Sequence, residues 1–264
     1  MRDVHVDGPG GRVDVRLYFP DAPAPHPIVM FVHGGGWALG SIALSDTLCR
    51  ALCRASGALV ASVGYRLAPE HPFPDGLNDA YAVLEWLHEN AADLDADPAL
   101  IAVCGDSAGG NLAAALALMA RDLGGPSLAL QVLIYPALDP TLSSRSFESL
   151  AVGFGLTRSD MQFFWGLYLK SSKDADDPYA SPLQASSFKG VAPALIVTAE
   201  LDPLVDEGEL YGERLRAAGA PARTVRYDGM VHGFMSYLGR IDSARTAVIE
   251  CGDAVKKAFG QPNN

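Results

Sequence analysis

Residues 99–111 read Ala-Leu-Ile-Ala-Val-Cys-Gly-Asp-Ser-Ala-Gly-Gly-Asn, and this stretch decides the fold. A short apolar strand stops at Gly105, and a strongly helix-forming stretch follows from Asn111 to Met119. Strand, Gly-x-Ser-x-Gly and helix in this order are the context of a nucleophile elbow, a tight turn that exposes a strained serine, here Ser107. Because the pentapeptide also occurs in ordinary glycine-rich turns, the rest of the chain has to distinguish the two interpretations.

Length and composition narrow the class of protein. The 264 residues suit one large α/β domain or two small ones, and 49% hydrophobic residues suffice for a core. A net charge of −11 argues against nucleic acid or an anionic membrane as partner. No apolar run approaches the roughly 18 residues of a membrane span, and the first residues carry no hydrophobic signal region, so we expect a cytoplasmic location. The four scattered cysteines are expected to be buried free thiols rather than a disulfide framework or a metal site.

Apolar strands alternate with helical patterns along the chain. The strand patterns cover about 13–19, 28–32, 58–63, 100–104, 129–135, 194–199 and 222–227, and the helical patterns about 42–56, 76–90, 108–121, 206–218 and 241–258. The inner strands are continuously apolar, which is typical of a parallel sheet covered on both faces. The sequence therefore predicts one α/β domain over 1–264 with a central, mostly parallel sheet and helices on both faces.

Almost sixty residues separate the strand near Tyr135 from the strand near Ala194, which is long for a plain connection. This insertion, about 140–185, is rich in large apolar side chains, among them Phe164 and Trp165. We expect a small helical cap that acts as a lid over a site. The alternative is a pair of packing helices whose aromatic side chains belong to the core.

A serine hydroxyl needs a base and a group that orients the base. His232 follows the last strand and lies where ligands bind in open α/β folds, so it is the predicted base. Asp202 ends the preceding strand and is the predicted orienting acid, with Glu200 and Asp206 as alternatives. Asp206 and its neighbour Glu207 are also explained as first-turn helix acids. The order serine, acid, histidine matches α/β hydrolases and not chymotrypsin or subtilisin.

Acyl transfer also needs donors for a tetrahedral oxyanion. His33-Gly-Gly-Gly-Trp37 follows the strand at 28–32, and glycines let backbone N–H groups point into a site. The amide of Ala108, the residue after the serine, supplies the second half of such a hole. We expect His33 to brace the loop through a hydrogen bond.

These residues resemble the hormone-sensitive-lipase-like group of α/β hydrolases, the GDSAG carboxylesterases. The matching stretches are His33–Trp37, Tyr65–Pro74, Gly105–Leu112, Asp202–Glu207 and His232–Phe234. The resemblance implies the α/β-hydrolase fold and a cofactor-free serine carboxylesterase for short- to medium-chain esters. It implies Ser107, Asp202 and His232 as the catalytic triad, and Gly35, Gly36 and Ala108 as oxyanion donors. Asp106 is then structural and ties the elbow to neighbouring loops.

Only 32 residues precede His33, where members of that group carry helices that form half of the cap. We therefore expect a shortened cap and a more open site, lined by Trp37, Phe164 and Trp165. Exposed apolar surface there suggests a partner subunit, as in a homodimer. Two alternatives stay open: a hydrolase of another acyl bond (an aryl-acetamide, N-formyl amide or lactone), and a non-catalytic ligand-binding protein.

Overall fold

Eight strands form one sheet in the computed structural model, which describes residues 1–260. In chain order the strands are β1 Arg2–Gly8, β2 Gly11–Tyr18, β3 His26–Val32, β4 Leu59–Gly64, β5 Ala96–Asp106, β6 Leu128–Ile134, β7 Ala194–Leu201 and β8 Ala222–Val231. Their order across the sheet is β1-β2-β4-β3-β5-β6-β7-β8. β2 pairs antiparallel with β1 and β4, and all other pairs are parallel. The predicted central, mostly parallel sheet is confirmed.

Seven α-helices accompany the sheet within residues 1–260: α1 Asp46–Ser56, α2 Asp75–Glu89, α3 Ala108–Leu123, α4 Arg145–Ser149, α5 Arg158–Tyr168, α6 Val205–Ala217 and α7 Asp242–Ala258. These helices pack in two separate clusters of buried apolar side chains. Met30 of β3 packs in the cluster with α2, α3 and α6, and Phe31 packs in the cluster with α1 and α7. Because neighbouring strand residues point to opposite faces, the helices cover both faces of the sheet, as predicted.

Helix α1 begins at Asp46, four residues later than the sequence pattern predicts. The Leu44 N–H donates to the side-chain oxygen of Ser41, a local bond that competes with helical hydrogen bonding. Residues 41–45 therefore form turns rather than a first helical turn.

The insertion at about 140–185 contains α4, α5 and two short 3₁₀ turns. Its one long helix begins with a capping box, since Thr157 accepts from the backbone N–H of Asp160 while the Asp160 carboxylate accepts from the Thr157 N–H. The C-terminal end of α5 is tied to the main body by a hydrogen bond from the Phe73 N–H to the carbonyl oxygen of Tyr168 at 2.8 Å.

None of the helices in residues 1–260 has the length and apolar character that crossing a membrane requires. The four cysteines, Cys49, Cys53, Cys104 and Cys251, are all free and buried, as the sequence predicts.

Candidate active site

Ser107 occupies the sharp turn between the end of β5 and the start of α3. Its φ of +55° and ψ of −119° lie outside the regions that non-glycine residues prefer, as in a nucleophile elbow. The start of α3 passes so close to the end of β3 that a Cβ added at Gly109 would lie 2.0 Å from the carbonyl oxygen of Val32. Only glycine fits at that position, so the second glycine of the pentapeptide is required by backbone packing.

The structure brings the three predicted triad residues together at the C-terminal edge of the sheet. Asp202 follows β7 and His232 follows β8. His232 Nε2 lies 2.9 Å from Ser107 Oγ, and its Nδ1 lies 2.7 Å from Asp202 Oδ2. The Asp202 side chain is fully buried, and its other oxygen accepts the N–H of Leu204 at 2.9 Å. This arrangement lets the serine hydroxyl donate to Nε2 while Nδ1–H donates to the carboxylate.

The glycine-rich loop at residues 33–37 is held against the elbow by Asp106. The Gly34 N–H donates to Asp106 Oδ1 at 2.9 Å, and the Tyr65 hydroxyl donates to the carbonyl oxygen of His33 at 2.9 Å. His33 Nδ1 lies 2.8 Å from the carbonyl oxygen of Gly34, which is the predicted brace. Burial lowers the pKa of His33, so its imidazole is held neutral within the loop.

A cavity of about 220 Å³ opens beside Ser107. Its lining consists of Gly35, Gly36, Trp37, Asp106, Ser107, Ala108, Tyr135, Ala137, Leu156, Met161, Phe164, His232 and Gly233. The backbone N–H groups of Gly35, Gly36 and Ala108 donate to no other protein group within residues 1–260. Three unpaired donors next to a serine hydroxyl are what an oxyanion hole requires.

The structure places two of the three predicted pocket aromatics at the cavity. Phe164 lies against the loop, since a Cβ on Gly36 would be 2.2 Å from its ring, and Trp37 contributes to the lining although it is almost fully buried. Trp165 does not line the cavity, so its assignment as a pocket residue is corrected. It points to the interior face of α5, where its ring centroid lies 4.2 Å from that of Trp37 and Tyr168 stacks on the same ring at 4.5 Å.

Sequence reasoning missed several lining residues, of which Tyr135 is the most prominent. It follows β6 directly, and its ring centroid lies 4.7 Å from that of His232. The available signal was its position, because the strand that it ends lies beside the strand of Ser107 at the edge where ligands bind. Leu156 and Met161 gave no comparable signal, because their place depends on how the insertion folds back.

Two further carboxyl groups lie near the triad, that of the partly buried Asp106 and that of the buried Glu207. Burial raises the pKa of Asp106 to about 6, although the Gly34 N–H and the nearby His232 lower it. Burial also raises the pKa of Glu207 well above its usual value. Glu207 lies in the first turn of α6, as predicted, and its side chain is also buried, with one oxygen accepting the Leu138 N–H at 3.1 Å. Its other oxygen has no hydrogen-bond partner within the described residues.

No group of three or more His, Cys, Asp or Glu side chains within residues 1–260 is arranged to hold a metal ion.

Comparison with protein families gives a match over most of the chain. A family model described as the α/β hydrolase fold matches residues 29–236. The chain is 47% identical to the carboxylic ester hydrolase LipN of Mycobacterium tuberculosis over 243 residues, which cover 89% of this chain and 64% of LipN. It is 41% identical to the carboxylesterase NlhH of the same species over 251 residues, 94% of this chain and 79% of NlhH. The chain therefore spans less than two thirds of the length of LipN.

Solved structures of two esterases are also similar to this chain. A hyperthermophilic esterase from Pyrobaculum calidifontis superposes with a TM-score of 0.95 at 43% identity, covering 98% of this chain and 85% of that one. The thermostable carboxylesterase EstE1, cloned from a metagenomic library, gives a TM-score of 0.96 at 44% identity and covers 99% and 89% of the two chains.

Proposed function

The chain belongs to the α/β-hydrolase-fold family, and on this premise we propose that it is a serine carboxylesterase. The observation that carries the proposal is the hydrogen-bonded chain from Ser107 through His232 to Asp202, which opens onto a cavity with three unpaired backbone donors. The names of the relatives, carboxylic ester hydrolase and carboxylesterase, support the same reaction class.

The reaction proceeds in two halves through an acyl-enzyme. Ser107 Oγ attacks the ester carbonyl carbon while His232 Nε2 takes the hydroxyl proton, and Asp202 accepts the Nδ1–H bond of the imidazolium that forms. The tetrahedral intermediate collapses when His232 gives its proton to the leaving alkoxide, and the alcohol departs. Water then attacks the acyl-enzyme by the same steps, and the carboxylic acid and free serine are restored.

The oxyanion of both tetrahedral intermediates is stabilised by the amides of Gly35, Gly36 and Ala108. One such donor contributes about 3 kcal/mol to transition-state stabilisation in a preorganised site. Preorganisation here comes from Asp106, which joins the loop to the elbow by accepting the Gly34 N–H.

We propose esters of short- to medium-chain acids as the substrates. The cavity of about 220 Å³ lies below the range of roughly 300–1,000 Å³ that drug-sized ligands occupy. Leu156, Met161 and Phe164 give it an apolar wall, which suits a small alkyl chain and offers no charged partner. The insertion at about 140–185 supplies these three side chains, which supports its role as a cap.

The location and assembly of the protein are further proposals. Four free thiols fit the reducing cytoplasm.

A second copy of the chain is the proposed partner, because β8 leaves one long edge of the sheet open and Ile249 on α7 is 52% exposed. Light scattering on the purified protein distinguishes a dimer from a monomer.

Hydrolysis of p-nitrophenyl butyrate by the purified protein tests the function. The matched variants are Ser107→Ala and Ser62→Ala, since Ser62 is a fully buried strand serine whose hydroxyl has no partner within the described residues. We expect Ser62→Ala to keep the wild-type rate and Ser107→Ala to lose at least about 10³-fold in kcat. Substantial hydrolysis by Ser107→Ala would refute the proposal, and turnover of an anilide but of no ester would assign the site to another acyl bond.

A further inference from the structure

Tyr135 lies one residue beyond β6, and its backbone adopts a conformation that tyrosine rarely takes. Its φ of +35° is in the left-handed region, where a side chain other than glycine is strained. Its N–H nevertheless donates to the carbonyl oxygen of Val197 on β7 at 2.6 Å, so the hydrogen bonding between the strands continues through it. Strain of this kind persists only where the surrounding structure imposes it, which directs attention to the contacts of the ring.

The Tyr135 ring contacts two side chains of one turn. Its centroid lies 4.7 Å from that of His232 at an interplanar angle of 60°, and 5.9 Å from that of Phe234 at 62°. Both are edge-to-face arrangements of the kind that aromatic pairs prefer. Because His232 and Phe234 flank Gly233, a single buried ring holds both sides of the turn that carries the proposed base.

That turn lies at the edge of the sheet, where Tyr227 of β8 also contacts Phe234, with ring centroids 5.2 Å apart. It follows β8, an edge strand, whose last pairing with β7 joins Val231 to Leu201. Segments at a sheet edge open more readily than inner strands. The hydrogen bonds of the His232 imidazole are those of its two ring nitrogens, with Asp202 and Ser107. Tyr135 comes from β6, two strands inside that edge, and so links the turn to the rigid centre of the sheet.

The hydroxyl group of Tyr135 does not explain its position. It is buried and hydrogen-bonds to no protein atom within residues 1–260, although burial of an unpaired hydroxyl is costly. Burial raises the pKa of Tyr135 well above its usual value, so the phenol stays protonated. The backbone amide of Met235, in the same turn, lies near the hydroxyl and lowers that pKa, and the ring makes the contacts with His232 and Phe234.

We propose that the aromatic ring of Tyr135 is a positioning residue for catalysis, which keeps the His232 imidazole aligned between Asp202 and Ser107. The inference rests on the proposed esterase function. Removing the ring leaves space beneath the imidazole, and a displacement of about 1 Å at a reacting group can lower the rate by about 10²-fold. Removing only the hydroxyl leaves the alignment intact.

Steady-state kinetics on p-nitrophenyl acetate test the proposal, because so small an acyl group does not sense a larger cavity. We expect Tyr135→Phe to retain kcat within about two-fold and Tyr135→Ala to lose about 10- to 100-fold in kcat with KM within about three-fold. The matched control is Tyr211→Ala, which removes an equally buried ring from α6 in the cluster on the opposite face of the sheet. We expect the control to lose thermal stability but to keep kcat at a temperature where it is folded.

Three outcomes would overturn the proposal. They are a folded Tyr135→Ala variant with kcat within about three-fold of wild type, a Tyr135→Phe variant as slow as Tyr135→Ala, and an equal loss of kcat in Tyr211→Ala. Where Tyr135→Ala does not fold, Tyr135→Leu decides by the same thresholds. Failure of the esterase function itself is recognised separately, by an active Ser107→Ala variant.

Discussion

We expect Phe164 to set the upper limit of the acyl chain, so replacing it with alanine should lengthen the preferred substrate. Its ring occupies the space next to Gly36, where an added Cβ would lie within 2.2 to 2.7 Å of three ring atoms. Removing the ring opens the cavity on this side. Each methylene that is newly buried contributes about 0.8 kcal/mol, so the two extra methylenes of a hexanoate relative to a butyrate contribute about 1.6 kcal/mol. We therefore expect the hexanoate-to-butyrate ratio of kcat/KM to rise by up to about 15-fold.

The assay compares p-nitrophenyl acetate, butyrate and hexanoate in wild type, Phe164→Ala and Phe163→Ala. Phe163 is the matched control, because it is the preceding residue on α5, is also a phenylalanine, and is 63% exposed outside the cavity lining. Phe163→Ala should leave the ratio unchanged, and acetate turnover should stay close to wild type in both variants. An unchanged ratio in Phe164→Ala, or an equal loss on all three esters, would refute the reasoning and assign the ring to the core.

Asp106, Glu207 and Trp165 lie near the site, and the replacement of each has a distinct expected effect. Asp106→Asn should make the acid limb of log kcat/KM shallower, because in wild type the Asp106 carboxyl, with a pKa of about 6, takes up a proton there; equal slopes in the two pH profiles would contradict this. For Glu207→Gln, the free energy of unfolding measured by urea titration should fall less than that of wild type as the pH rises from 5 to 8. The raised pKa keeps the Glu207 carboxyl of the folded protein protonated at pH values where that of the unfolded chain is ionised, so the stability of wild type falls as pH rises. Equal dependence of stability on pH in wild type and Glu207→Gln would contradict this explanation. Trp165→Ala should slow acetate and hexanoate alike and destabilise the fold by about 3–5 kcal/mol, since its ring packs behind Trp37; a selective change with chain length would return Trp165 to the pocket.

The fold and the triad were accessible from sequence for one physical reason. In a parallel sheet the C-terminal strand ends share one edge, so Ser107, Asp202 and His232, each placed just after an apolar strand, were expected to meet. Long helices with clear apolar periodicity were also predictable. The pattern at 76–90 corresponds to α2 at Asp75–Glu89, and the pattern at 241–258 to α7 at Asp242–Ala258.

What sequence could not give depends on contacts between distant segments. The first strand, Arg2–Gly8, is largely polar because it lies at the sheet edge, where Arg16 of β2 forms an ion pair with Asp3. Both Phe164 and Trp165 were predicted in the pocket, and the rotation of α5 against Trp37 decides that only Phe164 lines the cavity. The left-handed backbone of Tyr135 has no local signature, since neither glycine nor asparagine marks it.

The central claim is that Ser107 forms a covalent acyl-enzyme, and mass spectrometry of the intact protein after reaction with a fluorophosphonate probe tests it most directly. We expect one probe per chain, attached to Ser107, with hydrolysis of p-nitrophenyl butyrate lost in proportion to labelling. We also expect no labelling of Ser107→Ala. Full hydrolytic activity in completely labelled protein, or labelling that persists in Ser107→Ala, would show that Ser107 is not the nucleophile.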